Sequence, residues 1–270
     1  MTTPYAERMD ALAAARGPLC VGIDPHPGLL AAWGLEVDVA GLEAFSRTIV
    51  EALGRQVAAF KPQSAFFERF GSRGVAVLEK VLRDIAGIGA LSIMDAKRGD
   101  IGSTMAGYAE AYLADGSPLA ADAVTLSPYL GFESLRPAFD VARATGRGVY
   151  VLARTSNPEG GQVQLARGED GRVVGQQVVD AARAENEATG DHHIGLVVGG
   201  THANLGIDLT GFRGSILVPG IGAQGGTISG LASVFTAPGL RLVPTASRDV
   251  ARAGSHHEAL RAAAAQVAAS

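Results

Sequence analysis

Eight short apolar runs recur along the 270 residues of the chain, and they limit the folds open to it more than any other feature. The runs are nearly continuous rather than alternating in polarity, as is typical of parallel strands covered on both faces. Segments with helical periodicity, such as AGLEAFSRTIVEALGRQ and VVGQQVVDAARAENEATG, separate most of them. In chain order the runs are PLCVGID, AAFKPQ, ALSIMDAK, AVTLSP, GVYVLAR, IGLVVGG, SILVPGIG and LRLVPTAS.

Eight strand-helix units in a chain of this length predict an α/β fold of the (β/α)8 TIM-barrel type. An open, doubly wound parallel sheet is the competing fold. The chain is 47% hydrophobic, enough for one large core, and no linker, low-complexity segment or break in composition divides it. We therefore expect one barrel domain over residues 1–270.

Composition excludes several classes of partner. The net charge of −4 provides no basic surface for nucleic acid. Cys20 is the only cysteine, so no disulfide forms within the chain and a reducing compartment is indicated. The N-terminus lacks a signal-peptide pattern, and no apolar run reaches the roughly 18 residues of a membrane span. We expect a cytoplasmic protein without nucleic-acid or membrane partners.

Charged residues follow the first three runs at the point where each strand should end. Asp24 closes the first run, Lys61 the second, and Asp95 and Lys97 the third. In a TIM barrel these strand ends form the rim that carries the active site. Residues i and i+2 of a strand point to the same side, so Asp95 and Lys97 should point together. A charge pair buried among the helices would be costly, and the barrel mouth is therefore favoured.

Lysine is scarce, with only three among 23 basic residues. Arginine is bulkier and keeps its proton, so a lysine retained in such a sequence indicates a task for a compact ammonium group. Lys80, within VAVLEKVLRD, is expected on a helix surface. The other two, Lys61 and Lys97, could form a ring of alternating charge with Asp95 and Asp100. A purely structural ion-pair cluster is the alternative.

Two glycine-rich segments follow later strands. GIGAQGG matches G-x-G-x-x-G, but only 50 residues follow Gly220, and no acidic residue up to Arg248 could hold a ribose. A phosphate site suits the position better, with backbone N–H groups at the glycines and Arg248 as the cation. A plain glycine turn is the alternative. The long polar segment 153–175 is predicted to be a lid over the mouth, or else a disordered insertion.

The segment DAKRGDIGST resembles the D-x-K-x-x-D-I segment of the orotidine 5′-phosphate decarboxylase family. The resemblance extends to GIDPHP, FKPQSAFFERFG, TLSPYLGFESLRPAF, ARTSNPEG and the phosphate-binding VPGIGAQGG. The segments TSNP and FKPQ and the length of the chain are similar to those of the longer bacterial subgroup of this family. D-x-K-x-x-D alone is shared with sugar-phosphate decarboxylases and aldolases of the same barrel group, so the combination gives the specificity.

The resemblance implies decarboxylation of orotidine 5′-phosphate to UMP, without metal or organic cofactor, by a homodimer with shared sites. Lys61, Asp95, Lys97 and Asp100 match the catalytic tetrad, in which Asp100 is supplied to the neighbouring subunit. Lys97 would stabilise the C6 carbanion and protonate it. Arg98, between two of these residues, has no assigned task.

The resemblance also assigns positions that bind substrate. They are Asp24 for the ribose, Ile101 and Thr104 lent across the dimer, Ser156 for the pyrimidine, and Pro219, Gln224, Gly225 and Arg248 for the base pocket and phosphate. Segment 157–175 and the spacing from Gln224 to Arg248 are both longer than in short family members.

Three other functions stay open on sequence grounds. A metal-dependent sugar-phosphate decarboxylase or aldolase would share the charged rim but require a Mg²⁺ site. A Schiff-base aldolase would use Lys61 or Lys97 to form a covalent adduct with its substrate. A non-enzymatic nucleotide-binding barrel would bind UMP without turnover.

Overall fold

A computed structural model describes residues 2–222 and 225–270, which form a closed barrel of eight parallel strands. Each strand pairs with the next, and the last pairs with the first. The predicted barrel is confirmed, and the open sheet is wrong. Each predicted run matches one strand, and β3 extends one residue beyond its run. The strands are β1 (Cys20–Ile23), β2 (Ala59–Pro62), β3 (Leu91–Arg98), β4 (Ala123–Leu126), β5 (Gly148–Arg154), β6 (Ile194–Val198), β7 (Ser215–Pro219) and β8 (Arg241–Ala246).

Helices surround the barrel, and most connect consecutive strands. Residues 199–214, between β6 and β7, form no helix, so the strand-helix repeat is incomplete. Glycines with positive φ, Gly206 at 70° and Gly211 at 76°, interrupt that segment. The α-helices are α1 (Tyr5–Arg16), α2 (Pro27–Ala32), α3 (Val39–Leu53), α4 (Ser64–Glu68), α5 (Gly71–Gly87), α6 (Gly102–Leu113), α7 (Arg136–Thr145), α8 (Gly161–Gln164), α9 (Val174–Thr189), α10 (Leu231–Val234), α11 (Arg248–Ala251) and α12 (His257–Ala268), with 3₁₀ helices at Phe132–Leu135 and Pro158–Gly160.

Local sequence signals account for several helix ends. The Asp38 side chain accepts a hydrogen bond of 2.8 Å from Gly41 N and so caps the start of α3. Gly146 and Gly190 end α7 and α9 in the left-handed conformation, which glycine adopts without strain. No helix in the described residues is long and apolar enough to cross a membrane.

The core has two parts because each strand is buried on both faces. The larger part lies between the strands and the outer helices. The smaller fills the barrel interior, where Tyr5 and Met9 of α1 pack with strand residues such as Ile93 and Tyr150. Helix α1 therefore closes the N-terminal end of the barrel, and the C-terminal end is left for the site.

Candidate functional site

Asp95, on β3, is the centre of a hydrogen-bonded cluster in the barrel mouth. Its Oδ2 accepts hydrogen bonds from Lys61 Nζ at 2.7 Å and Gln63 Nε2 at 3.0 Å. Its Oδ1 accepts them from Lys97 Nζ at 2.5 Å and Thr125 Oγ1 at 3.0 Å. Asp95 and Lys61 are each only 6% exposed. The ends of three strands, β2, β3 and β4, thus fix one carboxylate between two ammonium groups.

The cluster keeps its charges despite burial. Burial favours the neutral carboxyl group, but the charges and hydrogen bonds of Lys61 and Lys97 outweigh it and hold the pKa of Asp95 well below its usual range. Burial also opposes the charge on Lys61, but Asp95 and Asp24 nevertheless raise the pKa of Lys61 above its usual value. A buried carboxylate and a buried ammonium therefore coexist at neutral pH.

Lys97 lies in an irregular part of β3. The register between β3 and β4 shifts between Met94 and Arg98, and Lys97 has a φ of 47°, in the left-handed region. This conformation is uncommon for a residue other than glycine and stores strain of about 1 kcal/mol or more. Asp95 and Lys97 do point together, but a bulge with a left-handed residue produces this arrangement rather than regular strand alternation.

The mouth opens into a cavity of about 740 Å³, a size that suits a small-molecule ligand. The Lys97 side chain is 45% exposed, so its ammonium group faces the cavity while it stays bonded to Asp95. Of the predicted residues, the structure brings together in the cavity walls Asp24, Lys61, Asp95, Lys97, Ser156 and Pro219, beside Gln63, Thr125, Ser127 and Asn157.

Asp24 and Ser156 both line the cavity. Asp24 Oδ1 is buried and has no hydrogen-bond partner among the described residues, so it can accept a hydrogen bond from a ligand. Ser156 packs closely against Gly199, where an added Cβ would lie 2.8 Å from the Ser156 N and Cα atoms. Glycine at 199 therefore allows the chain after β6 to approach Ser156.

Segment 153–175 contributes another wall of the cavity. It contains a 3₁₀ helix, α8, and an isolated antiparallel bridge between Arg167 and Val173, so the alternative of a disordered insertion is wrong. Gln164 ties the segment to the end of β5. Its Oε1 accepts a hydrogen bond from Thr155 N at 3.0 Å, and its Nε2 donates to Thr155 Oγ1 at 2.7 Å. Its position agrees with the predicted lid.

Some predicted residues lie away from this cavity within one chain. Asp100 Oδ1 accepts a hydrogen bond of 2.8 Å from Ile101 N, in the loop before α6. Ile101 is 62% exposed, and Thr104 is also exposed. Arg248 is exposed at the start of α11. Among the described residues of a single chain, none of these four lines the main cavity.

The glycine-rich loop after β7 closes on itself. Gly220, Gly222 and Gly225 have φ values of 104°, 77° and 86°, which explains the choice of glycine. The N–H groups of Gly222, Gly225 and Gly226 donate to carbonyl oxygens of Gly226, Gly222 and Gly220 respectively. These three amides, expected to be available for phosphate, are thus paired within the loop. Gln224 lies outside the described residues.

Sequence reasoning missed Gln63 and Thr125 as partners of Asp95. Gln63 follows Lys61 by two residues, and Thr125 is an isolated polar residue within the apolar run AVTLSP. Both signals indicate polar groups at strand ends on the same side as the charged residues. Among residues 2–222 and 225–270, no group of three or more His, Cys, Asp or Glu side chains is arranged to hold a metal ion.

A fixed cluster of opposite charges at the C-terminal mouth of a (β/α)8 barrel defines a class, the TIM-barrel enzymes. Comparison with known proteins then gives the family. Residues 17–263 match the model of the orotidine 5′-phosphate decarboxylase / HUMPS family, so the chain belongs to that family. The resemblance to this family noted in the sequence is confirmed.

Individual relatives are similar in sequence to this chain over nearly its whole length. The orotidine 5′-phosphate decarboxylase of Streptomyces coelicolor is 56% identical over 264 residues, covering 97% of this chain and 94% of the relative. That of Salinispora arenicola is 55% identical over 264 residues, covering 97% and 95%. A crystal structure from Streptomyces avermitilis, provisionally named as the same enzyme, is 56% identical with a TM-score of 0.95, covering 99% and 94%.

Proposed function

We propose that this chain is a carboxy-lyase that converts orotidine 5′-phosphate to UMP and CO₂ in pyrimidine biosynthesis. The family and its near full-length relatives support this activity. The observation that carries it is the position of the Lys97 ammonium group. One oxygen of Asp95 fixes this group at the edge of the cavity, and Lys61 holds the other oxygen.

The reaction requires a cation at one carbon of the substrate. When the bond between C6 and the carboxylate breaks, its electron pair stays on C6 in the plane of the pyrimidine, where the π system cannot spread the charge. A fixed ammonium group interacts more strongly with this carbanion than with the substrate, which is the condition for catalysis. We assign this role to Lys97, which then transfers a proton to C6 and regains one from solvent.

The remaining members of the cluster orient Lys97. Asp95 keeps the ammonium group charged and in place, and would lie near the departing carboxylate of the bound substrate. Lys61 is buried and bonded to the opposite oxygen of Asp95, so its part is to fix that carboxylate. Gln63 and Thr125 add the two further hydrogen bonds that prevent the carboxylate from rotating. Such preorganisation lowers the reorganisation needed during the reaction.

Substrate groups distant from C6 have their own proposed partners. The unpartnered Asp24 Oδ1 is an acceptor for a ribose hydroxyl. Ser156 would hold the pyrimidine, with Pro219 in the base pocket, and both line the cavity. Phosphate is assigned to Gln224, Gly225 and Arg248, and the Gly225 N–H would exchange its bond to the Gly222 carbonyl oxygen for one to the phosphate. Energy from that remote contact can drive closure of segment 153–175 over the site.

We further propose a cytoplasmic homodimer whose sites are shared. Asp100, Ile101 and Thr104 would reach the neighbouring subunit's site, since none of them lines the main cavity of its own chain. Ile101 (62% exposed) and Tyr129 (77% exposed) are large apolar side chains left open to solvent, as expected of a contact surface. The single thiol, Cys20, is buried and unpaired, which agrees with a reducing compartment.

The activity is tested by following the ultraviolet change as orotidine 5′-phosphate becomes UMP, with EDTA present throughout. We expect turnover that EDTA does not reduce. No turnover would refute the proposal. Turnover of a sugar phosphate that requires Mg²⁺ would place the chain in the metal-dependent branch instead. Borohydride treatment in the presence of substrate should trap no adduct, and a trapped adduct would indicate a Schiff base.

The shared site is tested by mixing two inactive variants, Asp100→Ala and Lys97→Ala. After random exchange of subunits, half of the dimers are hybrids, and each hybrid has one intact site, so activity should recover to about one quarter of wild type. The control is each variant exchanged only with itself. If the mixture is no more active than these controls, Asp100 does not act across the interface.

A further inference from the structure

We infer that Arg98 is a positioning residue for Lys97, whose side chain spans Lys97 and holds its backbone in the left-handed conformation. The inference deepens the proposed function, because it rests on the role given to Lys97 there. It accounts for the charged residue in DAKRGD that the tetrad leaves without a task.

Three hydrogen bonds hold the backbone around Lys97, and the Arg98 side chain supplies one of them. The Arg98 guanidinium donates from NH1 to the carbonyl oxygen of Ala96 at 3.1 Å, so the side chain reaches back across Lys97. The Arg98 carbonyl oxygen accepts a hydrogen bond of 2.7 Å from Ser127 N, which ties it to the end of β4. Lys97 N itself donates to Thr125 Oγ1 at 2.9 Å. Residues 96 to 98 therefore have little freedom to relax the φ of 47°.

The guanidinium is in turn anchored to two outer helices. It forms an ion pair through NH2 with Glu68, at the end of α4, and a hydrogen bond of 3.3 Å with Tyr112 OH on α6. Its Cζ lies 5.6 Å from the ring centroid of Tyr108 and 5.9 Å from that of Tyr112. Glu68 is oriented by a hydrogen bond of 2.5 Å from Ser64 Oγ. Arg98 thus connects the bulge of β3 to the helices on either side of it.

These contacts require the forked, planar group of arginine. One end of the fork bonds to Ala96 O, the other bonds to Glu68 and Tyr112, and aromatic rings lie against the group. The ammonium group of lysine is a point charge and cannot make this set of contacts together. Without them, the strain at residue 97 would relax toward an extended conformation and Nζ would leave its position beside Asp95. A displacement of about 1 Å at a reacting group can reduce the rate by about 100-fold.

Arg136 provides a matched control away from the mouth. It pairs with Glu133 at 2.9 Å and Glu185 at 2.8 Å, and its Cζ lies 5.4 Å from the ring centroid of Phe139. Arg136 therefore makes the same kinds of contact as Arg98 but at the start of α7, with no bond to β3. Its replacement tests the loss of such a cluster alone.

The experiment compares Arg98→Met, Arg98→Lys and Arg136→Met with wild type by kcat, KM, thermal unfolding and crystal structure. For Arg98→Met we expect kcat to fall about 100-fold, KM to change less than about threefold, and the φ of Lys97 to become negative. Arg98→Lys should recover thermal stability through Glu68 but not kcat. Arg136→Met should lose stability while keeping kcat.

The inference is overturned if Arg98→Met retains kcat within about threefold of wild type, or if its Lys97 keeps a positive φ. If Arg98→Met does not fold, Arg98→Lys decides, and recovery of full kcat there overturns the inference. The crystal structures report the backbone conformation of Lys97 whether or not the protein is active. A wild-type protein without turnover would therefore refute the proposed function and still leave the effect of Arg98 on Lys97 measurable.

Discussion

The two ends of the barrel both contain buried polar groups, but of different kinds. In the mouth, Asp95 lies between two ammonium groups and beside a cavity. At the opposite end, which we call the floor, the hydroxyl groups of Tyr5 and Tyr150 are 3.0 Å apart, and Ser215 Oγ donates to Tyr150 OH at 2.8 Å. Helix α1 covers the floor. An apolar layer separates the two ends: Cys20, Ala59, Leu91, Ile93, Ala123, Val197, Leu217 and Val243.

The difference shows which end serves stability and which serves function. The floor closes with neutral hydroxyls, whose burial is inexpensive once each has a hydrogen-bond partner. The mouth buries charges, and a buried ion pair is often no more stabilising than apolar residues of the same volume. A charged cluster maintained beside an open cavity therefore serves a ligand or a reaction. This division matches the general rule for TIM barrels, in which the strand C-termini carry the chemistry.

The strongest test of this division is Lys97→Ala. We expect kcat to fall by about 10⁴-fold, because both carbanion stabilisation and proton transfer are lost. Binding of UMP should be retained, since the other walls of the cavity are unchanged. Steady-state kinetics and calorimetric titration with UMP measure the two effects. Near-normal turnover would remove Lys97 from its assigned role.

The next largest effect concerns stability and its dependence on pH. Asp95→Asn leaves Lys61 buried without its charged partner and should lower the free energy of unfolding by about 3 kcal/mol at neutral pH. The folded-state pKa of Asp95 is depressed, so its stabilisation is present above the unfolded value of about 3.9 and is lost as the pH falls toward the folded value. The difference in the free energy of unfolding between wild type and Asp95→Asn should therefore decrease progressively below about pH 4. Urea unfolding from pH 3 to 8 measures it.

Most of the fold could be predicted because its signal is repeated eight times. Each apolar run is long enough for a buried strand, and each ends in polar residues or glycine, so an error in one unit does not change the predicted architecture. The absent helix between β6 and β7 could not be inferred from the repeat. There the breakers Gly206 and Gly211 outweigh the pattern of the other units.

The site could be predicted only in part. The spacing predicted that Asp95 and Lys97 point to one side. The bulge that achieves this depends on Thr125 and Ser127, which are distant in sequence, and on Arg98, whose side-chain partners lie in adjoining helices. The part proposed for Asp100 depends on a second subunit. Pairings of this kind arise from tertiary packing or from a second subunit, and neither leaves a periodic signal in the sequence.

A smaller effect is expected from Tyr150→Phe at the floor. Removal of this hydroxyl leaves Tyr5 and Ser215 without a hydrogen-bond partner and should lower the free energy of unfolding by about 2 kcal/mol. The value of kcat should stay within about twofold of wild type, because the apolar layer separates the floor from the mouth. The loss of stability should be constant from pH 3 to 8, unlike that of Asp95→Asn, since neither phenol nor phenyl titrates there. A large fall in kcat would show that the floor affects the reaction, and would contradict the assignment of stability to the floor and function to the mouth.

The smallest effect is expected from Gln164→Leu, in the wall formed by segment 153–175. The side-chain amide of Gln164 bonds to both the backbone N–H and the hydroxyl group of Thr155, which is next to Ser156. Loss of these bonds should weaken the closed wall by about 1 kcal/mol, seen as an increase in KM of about fivefold with a smaller change in kcat. Gln162→Leu is the matched control, because Gln162 is exposed on the same short helix and should leave KM unchanged. Equal effects of the two variants would show that the wall responds to any apolar substitution, and Gln164 would then have no special part in closing the mouth.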